Sequence, residues 1–223
     1  MKVTVFNGSP AKEKSATQVM ASAFLAGAEK AGAETETIYL LDHNIRHCQG
    51  CFACWFKTPG QCVLRDDMSA LLQKYQESDI VCFATPVYTW NMTAALKNFV
   101  DRLAPLKSPQ MVEQEGNFDL ADTRPRTQKF VTMANCGFSG DNNFAVIRAV
   151  FACASPSLEL YRNCGKLLKS ANPDIRPIVQ NYLMAVQQSG YELVKQGSVP
   201  EETLRRLEQP LMPVQDYVRY LGM

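Results

Sequence analysis

Met1-Lys-Val-Thr-Val-Phe-Asn-Gly-Ser-Pro-Ala-Lys-Glu-Lys-Ser-Ala-Thr17 sets the architecture of the chain. Residues 2–6 have the β-branched and aromatic enrichment of a strand buried on both faces, and Gly8 and Pro10 stop it abruptly. From about Ser15 the apolar residues Val19, Met20, Ala23, Phe24 and Ala28 recur at helical spacing, which puts Ser15, Ala16 and Thr17 at a helix start. The unpaired amides and positive dipole end of that helix converge on whatever occupies the loop. Hydroxyls from Ser9, Ser15 and Thr17, with Lys12 and Lys14 nearby, suit a phosphate. The plain structural alternative is a serine-rich helix cap with no ligand.

The loop lacks the G-x-G-x-x-G of a dinucleotide site and the G-x-x-x-x-G-K-[ST] of a magnesium–nucleotide site. A monophosphate held by hydroxyls and amides remains, and in an α/β protein this points to a mononucleotide such as FMN. Gly8-Ser-Pro10 with Ser15 and Thr17 resembles the phosphate loop of the flavodoxin-like NADPH-dependent FMN reductase family, which includes the iron-sulfur flavoproteins. The resemblance implies that this loop wraps the FMN phosphate.

With 223 residues, 46% of them hydrophobic, the chain can bury one full core, so a single domain over residues 1–223 with a C-terminal helical extension is expected. A formal net charge of +1 gives no basic excess to attract nucleic acid or an acidic membrane surface. No apolar run reaches the roughly 18 residues that span a bilayer, and the N-terminus reads as a strand, not as a signal peptide. A cytoplasmic protein is expected, in which the eight cysteines are thiols, metal ligands or redox groups before they are disulfides.

Strand patterns at residues 2–6, 35–40, 79–84, 129–134 and 157–161 alternate with helical patterns, which argues for a parallel sheet. The fold expected is α/β: a flavodoxin-like, doubly wound, five-stranded parallel sheet with helices on both faces. Residues 105–126 are polar and weakly periodic and read as a surface insertion or flap over the site. Amphipathic runs at 178–195 and 201–207 are helical. Ligands of such sheets bind beyond the carboxyl ends of the strands, where strand order reverses.

Two more loops open at that end. Pro86, Val87, Tyr88, Thr89, Trp90 and Asn91 combine a turn with apolar and aromatic surface, the mixture an isoalloxazine ring needs. With residues 96–102 they resemble the family's second flavin loop and its helix. Asn135-Cys136-Gly137-Phe138 resembles the third loop, where Gly137 permits close backbone approach. The expected cofactor contacts are therefore Ser9, Pro10, Lys12, Ser15, Ala16 and Thr17, residues 86–91, and Cys136, Gly137 and Phe138. Tyr88, Trp90 and Phe138 are the candidates for ring contact.

Cys48, Cys51, Cys54 and Cys62 form C-x2-C-x2-C-x7-C. Four thiols so spaced can converge on one 4Fe-4S centre, whereas structural zinc usually uses two separated C-x2-C hooks. The spacing resembles the compact cluster motif of the iron-sulfur flavoproteins. It also resembles reductases of the family without a cluster; on that reading the loop's small half-buried thiols line the flavin edge, with Cys51 and Cys54 spaced to form a redox pair. The second outcome is the one expected, with any cluster lost in air. His47 reads as solvent-facing and Cys82 as core strand, and Cys153 and Cys164 sit in no motif.

The sequence reading is an FMN-dependent NAD(P)H oxidoreductase that passes electrons to a small acceptor such as a quinone or free flavin, with no side chain required as acid or base. An iron-sulfur flavoprotein fed by ferredoxin is the alternative, and a non-catalytic flavin-dependent redox sensor the third. The resemblance implies a homo-oligomer.

Overall fold

A strand buried on both faces must send alternate side chains into two cores, and the computed structural model shows that arrangement in every central strand. It describes residues 1–114, 116–123 and 127–222, without the side chains of Gln114 and Asn117. The strands are β1 (Lys2–Asn7), β2 (Glu34–Tyr39), β3 (Ile80–Pro86), β4 (Lys107–Gln114), β5 (Asn117–Asp122), β6 (Lys129–Asn135) and β7 (Leu158–Arg162). The α-helices are α1 (Ala16–Lys30), α2 (Ala53–Phe56), α3 (Met68–Glu77), α4 (Ala94–Asp101), α5 (Ala145–Ala152), α6 (Arg176–Gln196), α7 (Glu201–Glu208) and α8 (Val214–Tyr220).

Five strands form a parallel sheet in the order β2-β1-β3-β6-β7. This is the flavodoxin-like order, and the switch point lies between β1 and β3. On one face Val3, Val5, Ile80, Cys82, Val131 and Met133 pack under α1, α6 and the C-terminal helices. On the other, Phe6, Val81, Phe83, Phe130 and Ala134 pack under α3, α4 and α5. Phe6 stacks on Phe99 of α4 with ring centroids 4.6 Å apart. Cys82 is a fully buried strand residue, as expected.

The C-terminal helices close the first face. Gly27 of α1 and Gly190 of α6 meet there, and a Cβ at either would collide with the Gln187 or Phe24 carbonyl oxygen of the opposing backbone. Two glycines thus let the helix axes approach more closely than larger side chains permit.

Residues 107–114 and 116–122 lie in the expected surface insertion or flap. They form an antiparallel β4–β5 hairpin with a register shift between Lys107 and Met111. Its Met111 and Phe118 are exposed and none of its described side chains is buried, so no period-2 apolar signal marks it. Arg124, Pro125 and Arg126 of the expected flap, and Glu115, lie outside the described residues. Among the described residues no helix is long and apolar enough to cross a membrane.

Candidate cofactor cleft and thiol cavity

The loop after β1 is held by side chains of its own. The Asn7 carboxamide accepts the Ser9 amide at 2.8 Å and donates to Gln18 of α1 at 2.9 Å. Gly8 lies against the start of α4, where a Cβ would sit 2.7 Å from Leu96 Cβ and 2.8 Å from Thr93 Oγ1. Thr93 caps α4 by accepting from the Leu96 amide, and it donates to the Gly8 carbonyl at 2.7 Å. The first loop and the helix of the second are thereby one unit. Ser15 is the N-cap of α1, accepting from the Gln18 amide at 2.9 Å and donating to the Lys12 carbonyl at 2.6 Å. The amides of Ala16 and Thr17, at the first two helical positions, have no backbone partner.

The second loop is a tight turn. Tyr88 and Asn91 exchange backbone bonds of 2.9 and 3.1 Å across Thr89 and Trp90. Both central residues have positive φ, 48° and 62°, which favours glycine or asparagine in such turns. A bulky residue held there is a strained feature of the kind that clusters at functional sites. Trp90 is consequently turned outward and 58% exposed, and Tyr88 is 54% exposed.

The third loop leans on a fourth that sequence reasoning overlooked. The Cys136 amide donates to the Arg162 carbonyl at 3.1 Å, and the Gly165 amide to the Cys136 carbonyl at 2.7 Å. A Cβ at Gly165 would stand 2.9 Å from Asn135 Oδ1, so the contact needs glycine. Tyr217 of α8 donates its hydroxyl to the Gly137 carbonyl at 2.7 Å. Burial pushes the Cys136 thiol up, the Cys164 thiol up to about 11 and the Tyr217 hydroxyl up to about 12. All three are therefore neutral under the sheet end at physiological pH.

These four loops enclose a cleft of about 330 Å³. Of the cofactor contacts expected from sequence, Ser9, Ser15, Ala16, Thr17, Pro86, Tyr88 and Gly137 line it. So do Ala11, Lys14, Asn135, Gly165, Lys166 and Lys169. Lys14, Lys166 and Lys169 have no ion-pair partner among the described residues, and no described acidic residue lines the cleft. Asn135 donates to Thr17 Oγ1 at 2.7 Å, which leaves the threonine proton available to the cleft.

The other expected contacts are not among the lining residues. Lys12 is drawn off into an ion pair with Asp42, Val87 packs on the core and Cys136 is buried beneath the loop. Pro10, Thr89 and Phe138 adjoin lining residues in sequence without lining the cleft, Trp90 and Asn91 stand further along the second loop, and Phe138 is 65% exposed. No described residue of the β4–β5 hairpin lines it either.

The four motif cysteines meet elsewhere. Cys48, Cys51, Cys54 and Cys62 all line one cavity of about 60 Å³, together with Arg102, Ala104 and Pro105. Burial raises the Cys54 thiol, and the sulfurs of Cys62, Cys51 and Cys48 add to the effect. Trp55 pins the segment by donating to the Ala104 carbonyl at 2.8 Å. Among the described residues no three His, Cys, Asp or Glu side chains stand close enough to hold a metal ion. Four thiols are the number a soft metal centre takes and they face one cavity, but as placed they do not converge on a single ion. His47, bonded to Asn98 at 3.2 Å and exposed, is not part of it.

Residues 1–140 match the profile of the NADPH-dependent FMN reductase family. The chain belongs to that family. An iron-sulfur flavoprotein of Archaeoglobus fulgidus is 41% identical over 105 residues, covering 47% of this chain and 46% of that protein. The chain spans about half the length of the curated relatives it matches. Two solved structures share the fold. One is an NAD(P)H:quinone oxidoreductase from Methanothermobacter marburgensis, with a TM-score of 0.60 and 18% identity over 86% of this chain and 96% of that one. The other is an FMN-dependent NADH-azoreductase from Bacillus anthracis in complex with FMN, with a TM-score of 0.60 and 15% identity over 86% and 99% of the two chains. At that identity they show the fold alone, and the cleft lies beyond the carboxyl ends of the strands, beside the switch point between β1 and β3.

Proposed function

We propose that the protein is an FMN-dependent oxidoreductase that takes reducing equivalents from NAD(P)H and delivers them to a small acceptor such as a quinone or free flavin. The observation that carries this reading is the cleft itself. Four loops at the carboxyl ends of β1, β3, β6 and β7 meet around three unpaired lysines and the free amides of α1, with no described carboxylate among them. That lining fits a phosphate monoester attached to a ring system.

FMN, when bound, supplies the hydride-accepting and electron-donating chemistry. The chain's own residues have narrower tasks. Ser9, Thr17 and the Ala16 and Thr17 amides hold the phosphate, and Lys14, Lys166 and Lys169 neutralise it. Tyr88, on the cleft lining, gives the ring an apolar border, and one face is left open to solvent. No side chain in the cleft is poised as an acid or base. Both substrates then use one open face in turn, and parallel double-reciprocal plots are the expected kinetic pattern. The purified protein should show a flavin absorption doublet and oxidise NADPH in the presence of a quinone. Absence of bound or bindable FMN overturns the reading.

A second reading adds an electron relay, and the observation favouring it is the gathering of four thiols on one cavity in a chain akin to iron-sulfur flavoproteins. Anaerobically prepared protein with about four irons per chain supports it, and iron-free protein with full quinone turnover opposes it. Self-association through the exposed Ile178, Met184 and Tyr191 of α6 belongs to the first reading, and sedimentation velocity tests it.

A further inference from the structure

The last helix reaches the cofactor cleft through one residue. Tyr217 is the only residue that α8 buries, at 1% exposure, against the core on the first face of the sheet, and its ring stacks on Tyr220. A tyrosine buried so deeply needs a partner for its hydroxyl. It finds one in the cleft wall, where it donates to the Gly137 carbonyl at 2.7 Å. The Lys166 amide approaches the same oxygen from the fourth loop. A Cβ at Gly137 would stand 3.7 Å from Lys166 Cε, so the lysine stem passes over the glycine. One hydroxyl thus sits where the third and fourth loops meet. Burial pushes it up to about 12, which keeps it a donor through the physiological range.

Gly137 needs such a hold. Glycine has more backbone freedom than any other residue, and a peptide beside it turns over readily. Here the peptides on both sides are pinned: the Cys136 carbonyl accepts the Gly165 amide at 2.7 Å, and the Gly137 carbonyl accepts Tyr217. The Gly137 amide has no hydrogen-bond partner among the described residues, and Gly137 lines the cleft. In a trans peptide N–H and C=O point in opposite directions, so with the Cys136 carbonyl spent on the fourth loop the Gly137 N–H stays open to a ligand. Were the following peptide released, its carbonyl could swing into the cleft and set an acceptor where a donor is wanted.

We propose that Tyr217 is a positioning residue for the cofactor cleft: its hydroxyl holds the Gly137 carbonyl out of the cleft, so that the wall presents the Gly137 amide as a donor to the carbonyl-bearing edge of the flavin ring. The assignment rests on the reading of the cleft as an FMN site. It goes beyond that reading in naming the group that meets the ring and the C-terminal helix that holds it. A donor at that edge counts for more when the flavin is reduced and the edge carries negative charge, because hydrogen bonds to charged groups are the stronger ones.

The test is Tyr217→Phe in the full chain, which removes the hydroxyl and keeps the ring in its packing. FMN and riboflavin should both bind about tenfold more weakly in fluorescence titrations, the worth of one hydrogen bond made to the ring they share. The two-electron reduction potential of bound FMN should also fall, by about 30 mV for each tenfold by which the reduced form loses more affinity than the oxidised one. A loop that is merely looser would weaken both redox forms alike and leave the potential unmoved. Should Y217F lose its native circular dichroism, Tyr217→Met, also apolar and without a hydroxyl, carries the comparison. An unmoved potential, or a loss of FMN affinity with riboflavin unaffected, overturns the role of Tyr217 and leaves the FMN reading standing. Wild-type protein that binds neither flavin overturns the FMN reading and this proposal with it.

Discussion

Ser9 and Ser15 are both more than nine-tenths buried at the mouth of the cleft, yet their hydroxyls have different employment. Ser15 is committed at both its donor and acceptor sides to the cap of α1, whereas no described residue bonds the Ser9 hydroxyl. Ser15→Ala should therefore cost about 0.5–2 kcal/mol of stability in urea denaturation, as lost caps do. Ser9→Ala should leave the denaturation midpoint nearly unchanged. It should weaken FMN binding by about 1.5–3 kcal/mol in a fluorescence titration, the worth of one hydrogen bond to a charged group. Equal effects of the two changes on FMN affinity would contradict this division. The sequence shows both serines and cannot separate them, because the distinction lies in where each side chain points. Lys12 taught the same limit: its pull toward Asp42 joins distant parts of the chain, and no local pattern announces it. Asp66 is the other residue with a measurable signature. Its carboxyl is depressed in the folded state, so its stabilisation is present above the unfolded value near 3.9 and is lost as pH falls through the lower folded value. Asp66→Asn should cost about 3–5 kcal/mol at pH 7, since it leaves Arg102 buried and unpaired. It should also flatten the acid limb of stability against pH.

The crossing of α1 on α6 sets two opposed effects against each other. Alanine at Gly27 or Gly190 would gain up to about 1 kcal/mol of helix propensity. The added Cβ meets backbone carbonyl oxygens, which cannot move without parting the helices, and overpacking of this kind costs about 1–3 kcal/mol or more. Overpacking should win, so Gly27→Ala and Gly190→Ala should each lower the urea midpoint. A rise would mean the helices separate freely. The elements that were legible in the sequence are those with a buried face. Strands β1, β3 and β6 read as apolar runs because both faces are covered, and α1, α3, α4 and α6 read by their 3.6-residue period. Hairpin β4–β5 was invisible for the complementary reason. Pro109, its charged residues and the exposed Met111 and Phe118 leave neither face apolar, so nothing alternates. The loop carrying Gly165, Lys166 and Lys169 could have been inferred from topology, since β7 ends at the same edge as β6.

At the scale of the molecule, loops from four strands of the five-stranded sheet come together at the cleft, which ties the ligand to the cooperative unit of folding. A ligand that binds only the folded state stabilises it by RT ln(1 + [L]/Kd), about 2.7 kcal/mol at a hundred times Kd. For a chain of this length each kcal/mol moves Tm by about 2–4 °C, so saturating FMN should raise Tm by roughly 5–10 °C over the apo protein. The charge distribution sharpens the expectation. A net charge of +1 provides almost no long-range attraction, so the affinity for a dianion must come from the local trio of Lys14, Lys166 and Lys169 and the amides of α1. Such a field is screened over about 8–10 Å at 0.1–0.15 M salt. The FMN-induced rise in Tm should shrink as salt increases. Riboflavin, with the same ring and no phosphate, should give a smaller rise that hardly depends on salt. Lys166→Ala combined with Lys169→Ala should bring the FMN response toward that of riboflavin, since it removes cationic groups and leaves Tyr88 at the ring border intact. Equal, salt-independent shifts from FMN and riboflavin would place the binding energy in the ring and deny the cleft its role as a phosphate site.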